Sequence, residues 1–426
     1  LSKSYNNNSN VIFHIDVNSA FLSWEAVYRL SILGAKQDLR EIPSAVAGDI
    51  KMRSGIILAK STPAKNYRIQ TGEMISDALK KCPRLVLVPP HYNLYDSCSK
   101  SFMEILRRYS PDVEQYSVDE AYVDMTNVIP LHSSPVLLAN ELKDTIFHEL
   151  GFTVNVGVSS NKLLAKMAGD FKKPNLVHTC FPAEVKEKLW PLPVSELFYV
   201  GRATTKKLFA LGIKTIGELA NTDLSILKAH FKKHGELIYL FANGIDITDV
   251  ISAPPPNKGY GNSKTIAFDV TDIITSELIL LSLCETISAR LRSDNVKISC
   301  VSVSIVYSDF SHISHQCLIT PTNITNELHK ASCRLFHSLW CNMPIRNLGV
   351  HTSKVTEDDG IQQLDLFQSD RLVRLATVEK TIDKIRLKYG DDSIMRGSFL
   401  NTPIRHMTGG ISIEKKTVDY ERIKIE

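Results

Sequence analysis

Short apolar runs of strand length alternate with amphipathic stretches along most of this chain. Residues 11–17 predict a strand, and 19–33 space their apolar side chains at helical intervals. A second short strand is expected over 56–60, a helix over 71–80, and a strand over 85–88 bounded by Pro83, Pro89 and Pro90. Within 97–109, Phe102, Ile105, Leu106 and Tyr109 share one helical face. Residues 118–125 and 153–158 predict two further strands, with a helix over 137–150 between them. Strands and helices mixed in this order predict an α+β domain.

The pattern then changes. From 197 to 243 it is almost wholly helical, with Gly201, Gly212, Gly217 and Gly235 at the helix junctions. Ser252-Ala253-Pro254-Pro255-Pro256-Asn257-Lys258-Gly259 predicts an extended linker. After it come a strand over 264–268, a helix over 276–292 and a half-buried strand in which Val301, Val303, Ile305 and Tyr307 alternate with small polar residues. A strand over 314–320, a helix over 323–339 and a last strand over 348–352 complete the order β-α-β-β-α-β, a ferredoxin-like split unit and an independent domain. A final helix is expected over 378–389, with no role read from the sequence.

At 426 residues the chain is long enough for two or more domains with real cores. A hydrophobic content of 43% with 23% charged residues describes an ordinary soluble protein, and a net charge of +4 does not by itself imply nucleic acid. The eight cysteines include no Cys-x-x-Cys pair and no zinc spacing, so they read as free thiols of a cytoplasmic protein. No run suits a membrane span and no signal peptide opens the chain.

Two of the apolar runs carry acid. His14-Ile15-Asp16-Val17-Asn18-Ser19-Ala20-Phe21 and Ser117-Val118-Asp119-Glu120-Ala121-Tyr122-Val123-Asp124 each put carboxylates in or at the end of a short strand. A charge there is costly unless something positive compensates it. Asp119 and Glu120 are adjacent and would face opposite sides of a regular strand, so a twist or a strand end is needed for both to reach one site. With Asp16 from a neighbouring strand, three hard carboxylates and no nearby Cys or His cluster suit Mg²⁺ and the phosphates it binds. That is the layout of a two-metal phosphoryl-transfer site. Taken alone, an Asp-Glu pair at a strand end is more often a solvated turn; the motifs around this one change the reading.

Those motifs are ordered: Asp16 to Phe21, Ser61-Thr62-Pro63-Ala64-Lys65, Tyr116 to Asp124, the stretch from Gly157 to Asn175, then Val200 to Leu219, Gly261-Asn262-Ser263-Lys264-Thr265 and Gln363-Leu364-Asp365-Leu366-Phe367. From about residue 11 to about residue 400 the chain resembles the Y family of DNA polymerases, the translesion class, of the bacterial DinB and UmuC type. The resemblance implies an α+β right-hand polymerase with palm, fingers, a helical, helix-hairpin-helix-like thumb and a ferredoxin-like little-finger domain. Its expected divisions are palm over 11–20 and 91–180, fingers over 21–90, thumb over 181–252, linker over 253–259, little finger over 260–356, and a tail over 357–426 with a clamp-binding motif.

By the same resemblance, Asp16, Asp119 and Glu120 are the catalytic carboxylates and, with the Val17 carbonyl, hold two Mg²⁺ ions. Asn18 stands where many relatives have Asp. Phe21 is the expected steric gate against a ribose 2′-hydroxyl, although alone it reads as a core aromatic. Lys65 and Lys173 are expected on the triphosphate, with Thr62 in place of the Tyr that DinB-like relatives carry. Val200, Gly201 and Thr204 would grip a DNA phosphate through a hairpin whose first Gly is replaced by Tyr199. Ser263, Lys264 and Thr265 would meet DNA backbone, the alternative being an ordinary solvent face. Gln363, Leu364, Leu366 and Phe367 resemble the peptide that docks on the bacterial sliding clamp.

The expected activity is template-directed, low-fidelity DNA synthesis by a monomer, from dNTPs on primer-template DNA, with damage bypass as its role in DNA repair and the SOS response. A RecA or UmuD-like partner is left open. Two rivals remain at this stage: a catalytically silent DNA- and clamp-binding protein, and a different two-metal enzyme on a similar palm, such as a nucleotide cyclase.

Overall fold

The computed structural model describes residues 10–49, 53, 55–129, 134–253, 256–358 and 369–407. Strand β1 (Ile12–Val17) is buried along its whole length and passes through Ser19, at φ 50°, into helix α1 (Ala20–Ser31). Next comes a small sheet in which β2 (Ser44–Ala47) lies between β3 (Ile57–Lys60) and β4 (Val86–Val88). Helices α2 (Thr62–Lys65) and α3 (Ile75–Lys81) belong to the same unit, whose core gathers around Ile57, Ile69 and Ile75.

Helix α4 (Tyr92–Tyr109), β5 (Val113–Gln115), β6 (Glu120–Asp124), α5 (Pro135–Leu150), β7 (Val154–Ser159), α6 (Lys162–Asp170) and β8 (Val177–Thr179) complete the palm. Its five strands run in the order β5-β6-β1-β7-β8, with β1 at the centre. Local signals explain the helix ends. Ser134 accepts the Val136 N–H and Pro135 opens α5, while Gly151 closes it at φ 73°, a conformation that costs a glycine little.

Helix α6 lies directly on the sheet because Gly157 lets it. A Cβ at Gly157 would sit 1.8 Å from the Ala165 carbonyl oxygen and 2.5 Å from the Gly169 nitrogen. Leu163, Leu164, Met167 and Ala168 of α6 pack into the core of the helical unit that follows. That unit holds α7 (Arg202–Ala210), α8 (Ile216–Ala220), α9 (Leu224–Phe231) and α10 (Lys233–Ala242).

The last sheet contains β9 (Gly261–Val270), β10 (Val296–Tyr307), β11 (His312–Thr322) and β12 (Ile345–Glu357) in the order β11-β10-β12-β9. Helices α11 (Ile273–Ser293) and α12 (Thr325–Leu339) cross between its strands. β9 and β10 both run antiparallel to β12, which separates them, so the first β-α-β unit is split as the element order predicts.

Helix α13 (Ser369–Tyr389) starts nine residues earlier than expected, and the segment after it returns to the little finger. Phe399 and Ile404 join the core with Leu283, Ile287 and Phe336. Buried Glu379 accepts hydrogen bonds from Arg292 at 2.6 Å, from Arg396 at 3.2 Å and from the Thr325 N–H at 3.0 Å. Arg292 also pairs with Asp383 at 2.5 Å, and buried Glu285 pairs with Arg386 and Arg396. Each of these buried charges therefore has an opposite partner, the condition under which burial is tolerated.

Strands β2 and β5 and helix α6 lie outside the sequence expectations. β2 is Ser-Ala-Val-Ala, buried on both faces and so without a period of two. β5 is a three-residue edge strand, too short to show a pattern. α6 is covered by the sheet on one side and by the thumb core on the other, and its nine residues show only the narrow polar stripe Lys162, Lys166 and Asp170.

Candidate active site

β1 and β6 are antiparallel neighbours with Asp16 opposite Glu120. Asp119 lies one residue before β6, in a turn where the Tyr116 and Ser117 amides both donate to the Glu120 carbonyl, at 3.0 and 3.1 Å. The Asp119 carbonyl accepts the Val17 N–H at 3.0 Å, and Ser117 Oγ donates to Asp119 Oδ1 at 2.6 Å. Because β6 begins between them, the two adjacent carboxylates escape strict alternation. Asp16, Val17 and Asp119 line one cleft.

Positive charge meets the acids from α6 and the loop after it. Lys166 donates to Glu120 at 2.9 Å and Lys173 to Asp16 at 2.5 Å, while Lys173 also reaches Asp170 at 2.9 Å. Asp16 is pushed up to about 6, first by burial, with Lys173 pulling it down and the charges of Glu120 and Asp119 raising it again. Lys173 is held above its usual range: burial lowers it, but Asp16 and Asp170 more than offset that. Among the described residues no three His, Cys, Asp or Glu side chains close on one point as a metal-holding group. The donor set still suits a hard cation: it is all oxygen and partly buried.

The nucleotide-side expectations fall on the walls of the same region. Phe21 lines the cleft with Asp16 and Asp119 and stacks on Tyr95, with ring centroids 4.5 Å apart and planes 11° apart. Tyr92 meets it edge-on. Thr62 and Lys65 stand on α2, whose start is capped by Ser61 accepting the Ala64 N–H. Both line a cavity with Asp16, Asn18, Arg40 and Lys173. Lys60 and Lys65 line the Phe21 cleft together. Partial burial, then the charge of Lys65, holds Lys60 below its ordinary range.

The DNA-side expectations lie elsewhere. Tyr199 has φ 70°, the left-handed conformation that explains why glycine would be easier there. Val200 is buried and its N–H donates to the Leu197 carbonyl at 2.9 Å, Gly201 is exposed at the start of α7, and Thr204 is half-buried in its first turn. On the little finger, Ser263 and Thr265 stand opposite Gly349 and Asn347, and Lys264 stands opposite the buried Leu348. Gln363, Leu364, Leu366 and Phe367 lie outside the described residues.

Arg40, Lys60 and Lys166 are site-lining residues that sequence reasoning missed. Lys166 left one signal, a lone lysine inside Leu163-Leu164-Ala165-Lys166-Met167-Ala168, where a charge needs a partner. Arg40 sits among polar residues, and Lys60 only ends the apolar run 56–59, where a terminal lysine reads as solvent-facing.

Residues 15–170 match the model of the impB/mucB/samB family, 257–366 match that family's C-terminal domain, and 196–246 match the DNA polymerase-iota thumb domain. The chain is 45% identical over 393 residues to a DNA polymerase IV of Clostridium acetobutylicum, covering 92% of this chain and 98% of the relative. It belongs to the Y family of DNA polymerases, of the bacterial DinB type. A DNA polymerase IV 1 of Bacillus subtilis is 34% identical over 421 residues, covering 97% and 99% of the two chains. Among solved structures, the Y-family DNA polymerase chimera Dbh-Dpo4(243-245)-Dbh superposes with a TM-score of 0.70 at 22% identity, over 82% of this chain and 99% of that one. The right-hand architecture with its added little finger is that of the family, and family membership carries dependence on a divalent metal ion, primer-template DNA and dNTPs.

Among the described residues no helix is long and apolar enough to cross a membrane, and all eight cysteines are unpaired.

Proposed function

We propose that this translesion polymerase extends a primer 3′-hydroxyl by nucleotidyl transfer from a dNTP, with Asp16, Asp119 and Glu120 as its metal-holding carboxylates. The observation that carries this reading is the placement of all three at the end of the β1–β6 pair, beside a cleft lined by Phe21 and basic side chains. Asp16, Asp119, Glu120 and the Val17 carbonyl would hold two Mg²⁺, which when bound lower the hydroxyl pKa and neutralise charge on the phosphates. Lys65 and Lys173 bind the triphosphate, supported by Lys60 and by Arg40, whose guanidinium is held by Asp38 at 2.8 Å and the Gly151 carbonyl at 2.8 Å. Phe21, braced by Tyr95, presents a rigid aromatic edge under the sugar and excludes ribonucleotides by clash. The thumb hairpin and the outer face of the little-finger sheet hold duplex backbone, with the clamp-like peptide at 363–367 recruiting a sliding clamp.

Primer extension with Mg²⁺ on undamaged and abasic templates tests this, beside Asp119→Ala and Glu120→Ala variants. Extension that disappears in both variants supports the assignment, and the abasic lane reads damage bypass directly. Robust extension by either variant removes that residue from the catalytic set.

A further inference from the structure

A pair of buried amides holds together the nucleotide end of the palm. Asn18 directly follows β1, and Asn155 lies on β7 opposite Asp16. Asn155 is fully buried and uses every hydrogen-bonding valence it has. Its Nδ2 donates to the Gly169 carbonyl at 3.1 Å and the Lys172 carbonyl at 2.7 Å; its Oδ1 accepts from Asn18 Nδ2 at 3.1 Å and the Leu176 N–H at 3.3 Å. Asn18 Oδ1 in turn accepts the Asn175 N–H at 2.9 Å and the Thr153 hydroxyl at 3.0 Å. Backbone groups fix both orientations: an N–H can only donate and a carbonyl can only accept, so neither amide can turn over without losing bonds.

These bonds converge on one short loop. Lys172, Asn175 and Leu176 flank Lys173, whose ammonium reaches Asp16. We infer that Asn18 and Asn155 are positioning residues that set the reach of Lys173 toward the incoming triphosphate; the inference rests on the proposed role of Lys173. It also explains why asparagine suits position 18 here. An aspartate there would set a bare oxygen against Asn155 Oδ1, and Asn155 cannot rotate to donate because its Nδ2 is committed to two carbonyls. Position 18 must supply a proton for as long as position 155 is asparagine.

The test is single-nucleotide primer extension with dNTP titration by the wild-type chain, Asn18→Asp, Asn155→Ser and the Asn18→Asp/Asn155→Ser double variant, whose serine hydroxyl can donate to the new carboxylate. Primer-template affinity and amide exchange over 172–176 are measured alongside. Asn18→Asp, almost isosteric, is expected to raise the dNTP KM roughly tenfold, the worth of one buried hydrogen bond, with primer-template affinity unchanged and exchange in the loop faster. The double variant recovers part of that loss. An unchanged KM for Asn18→Asp overturns the positioning role, whether or not loop exchange changes, and so does a double variant as poor as the two single effects multiplied. A wild-type chain that does not extend primers defeats the polymerase reading itself, and the inference with it; normal extension with a KM indifferent to Asn18 defeats the inference alone.

Discussion

Gly157→Ala is the sharpest test of how the palm places its lysines. The added Cβ would lie 1.8 Å from the Ala165 carbonyl oxygen and 2.5 Å from the Gly169 nitrogen, and both are backbone atoms that no rotamer change can move. In a close-packed interior the first contact falls about 1.6 Å short of ordinary van der Waals distance, so α6 must rise off β7 by a comparable amount. Overpacking of this kind costs about 3 kcal/mol, the upper end of the usual range, because no flexible side chain shares the strain. The same movement carries Lys166 away from Glu120 and Lys173 away from Asp16, now bonded at 2.9 and 2.5 Å. A displacement of this size at a reacting centre is expected to lower kcat roughly 100-fold. Hydrogen exchange of the β1 and β7 amides reads the stability term, and single-turnover primer extension reads the catalytic one. Gly169→Ala is the control: its Cβ would meet the His14 ring at 3.3 Å and backbone no closer than 3.5 Å, so its effect on both readouts should be much smaller. A Gly157→Ala chain with wild-type local stability and turnover would refute the close approach and the argument built on it.

Phe21→Ala should raise ribonucleotide incorporation by roughly 100-fold relative to deoxyribonucleotide, the scale of a steric or single-contact discrimination, measured as a ratio of kcat/KM values; an unchanged ratio would remove Phe21 from sugar selection. His14 is fully buried and lies well below its usual pKa, first from burial and then from Lys166 and Lys173. The unfolded chain therefore takes up a proton below about pH 6.5 that the native state refuses, and stability falls as pH drops. The stability difference between wild type and His14→Leu should shift against the wild type by about 1.4 kcal/mol between about pH 7.5 and about pH 5.5, and a difference constant with pH would contradict this. Glu379→Ala strips a buried acceptor from Arg292, Arg396 and the Thr325 N–H. It should cost about 3 kcal/mol and speed exchange at the start of α12 by roughly 100-fold, while leaving palm exchange untouched.

The local character of the chain was open to reading in the sequence wherever a period survived. The alternation at Val301, Val303, Ile305 and Tyr307 and the helical face at Phe102, Ile105 and Leu106 depend on neighbours close in sequence. The Asp16 and Asp119-Glu120 runs were visible for the same reason, because acid in an apolar strand is costly and therefore conspicuous. Elements buried from two sides left less of a mark: β2 is buried along its whole length, and α6, mostly buried, shows only the short stripe Lys162, Lys166 and Asp170. The sequence likewise left unassigned the helix that became part of α13, whose acids pair with Arg292 across 87 and 91 residues. Only the folded chain decided that adjacent Asp119 and Glu120 escape alternation, because the start of β6 is set by the Tyr116 and Ser117 amides closing on the Glu120 carbonyl. It alone brought Asn18 to Asn155, and Lys166 and Lys173 to the carboxylates across 46 and 157 residues. Periodicity reports what each residue needs from its surroundings; which distant group meets that need follows from the packing of sheet and helix, and here that packing turns on the missing Cβ of Gly157.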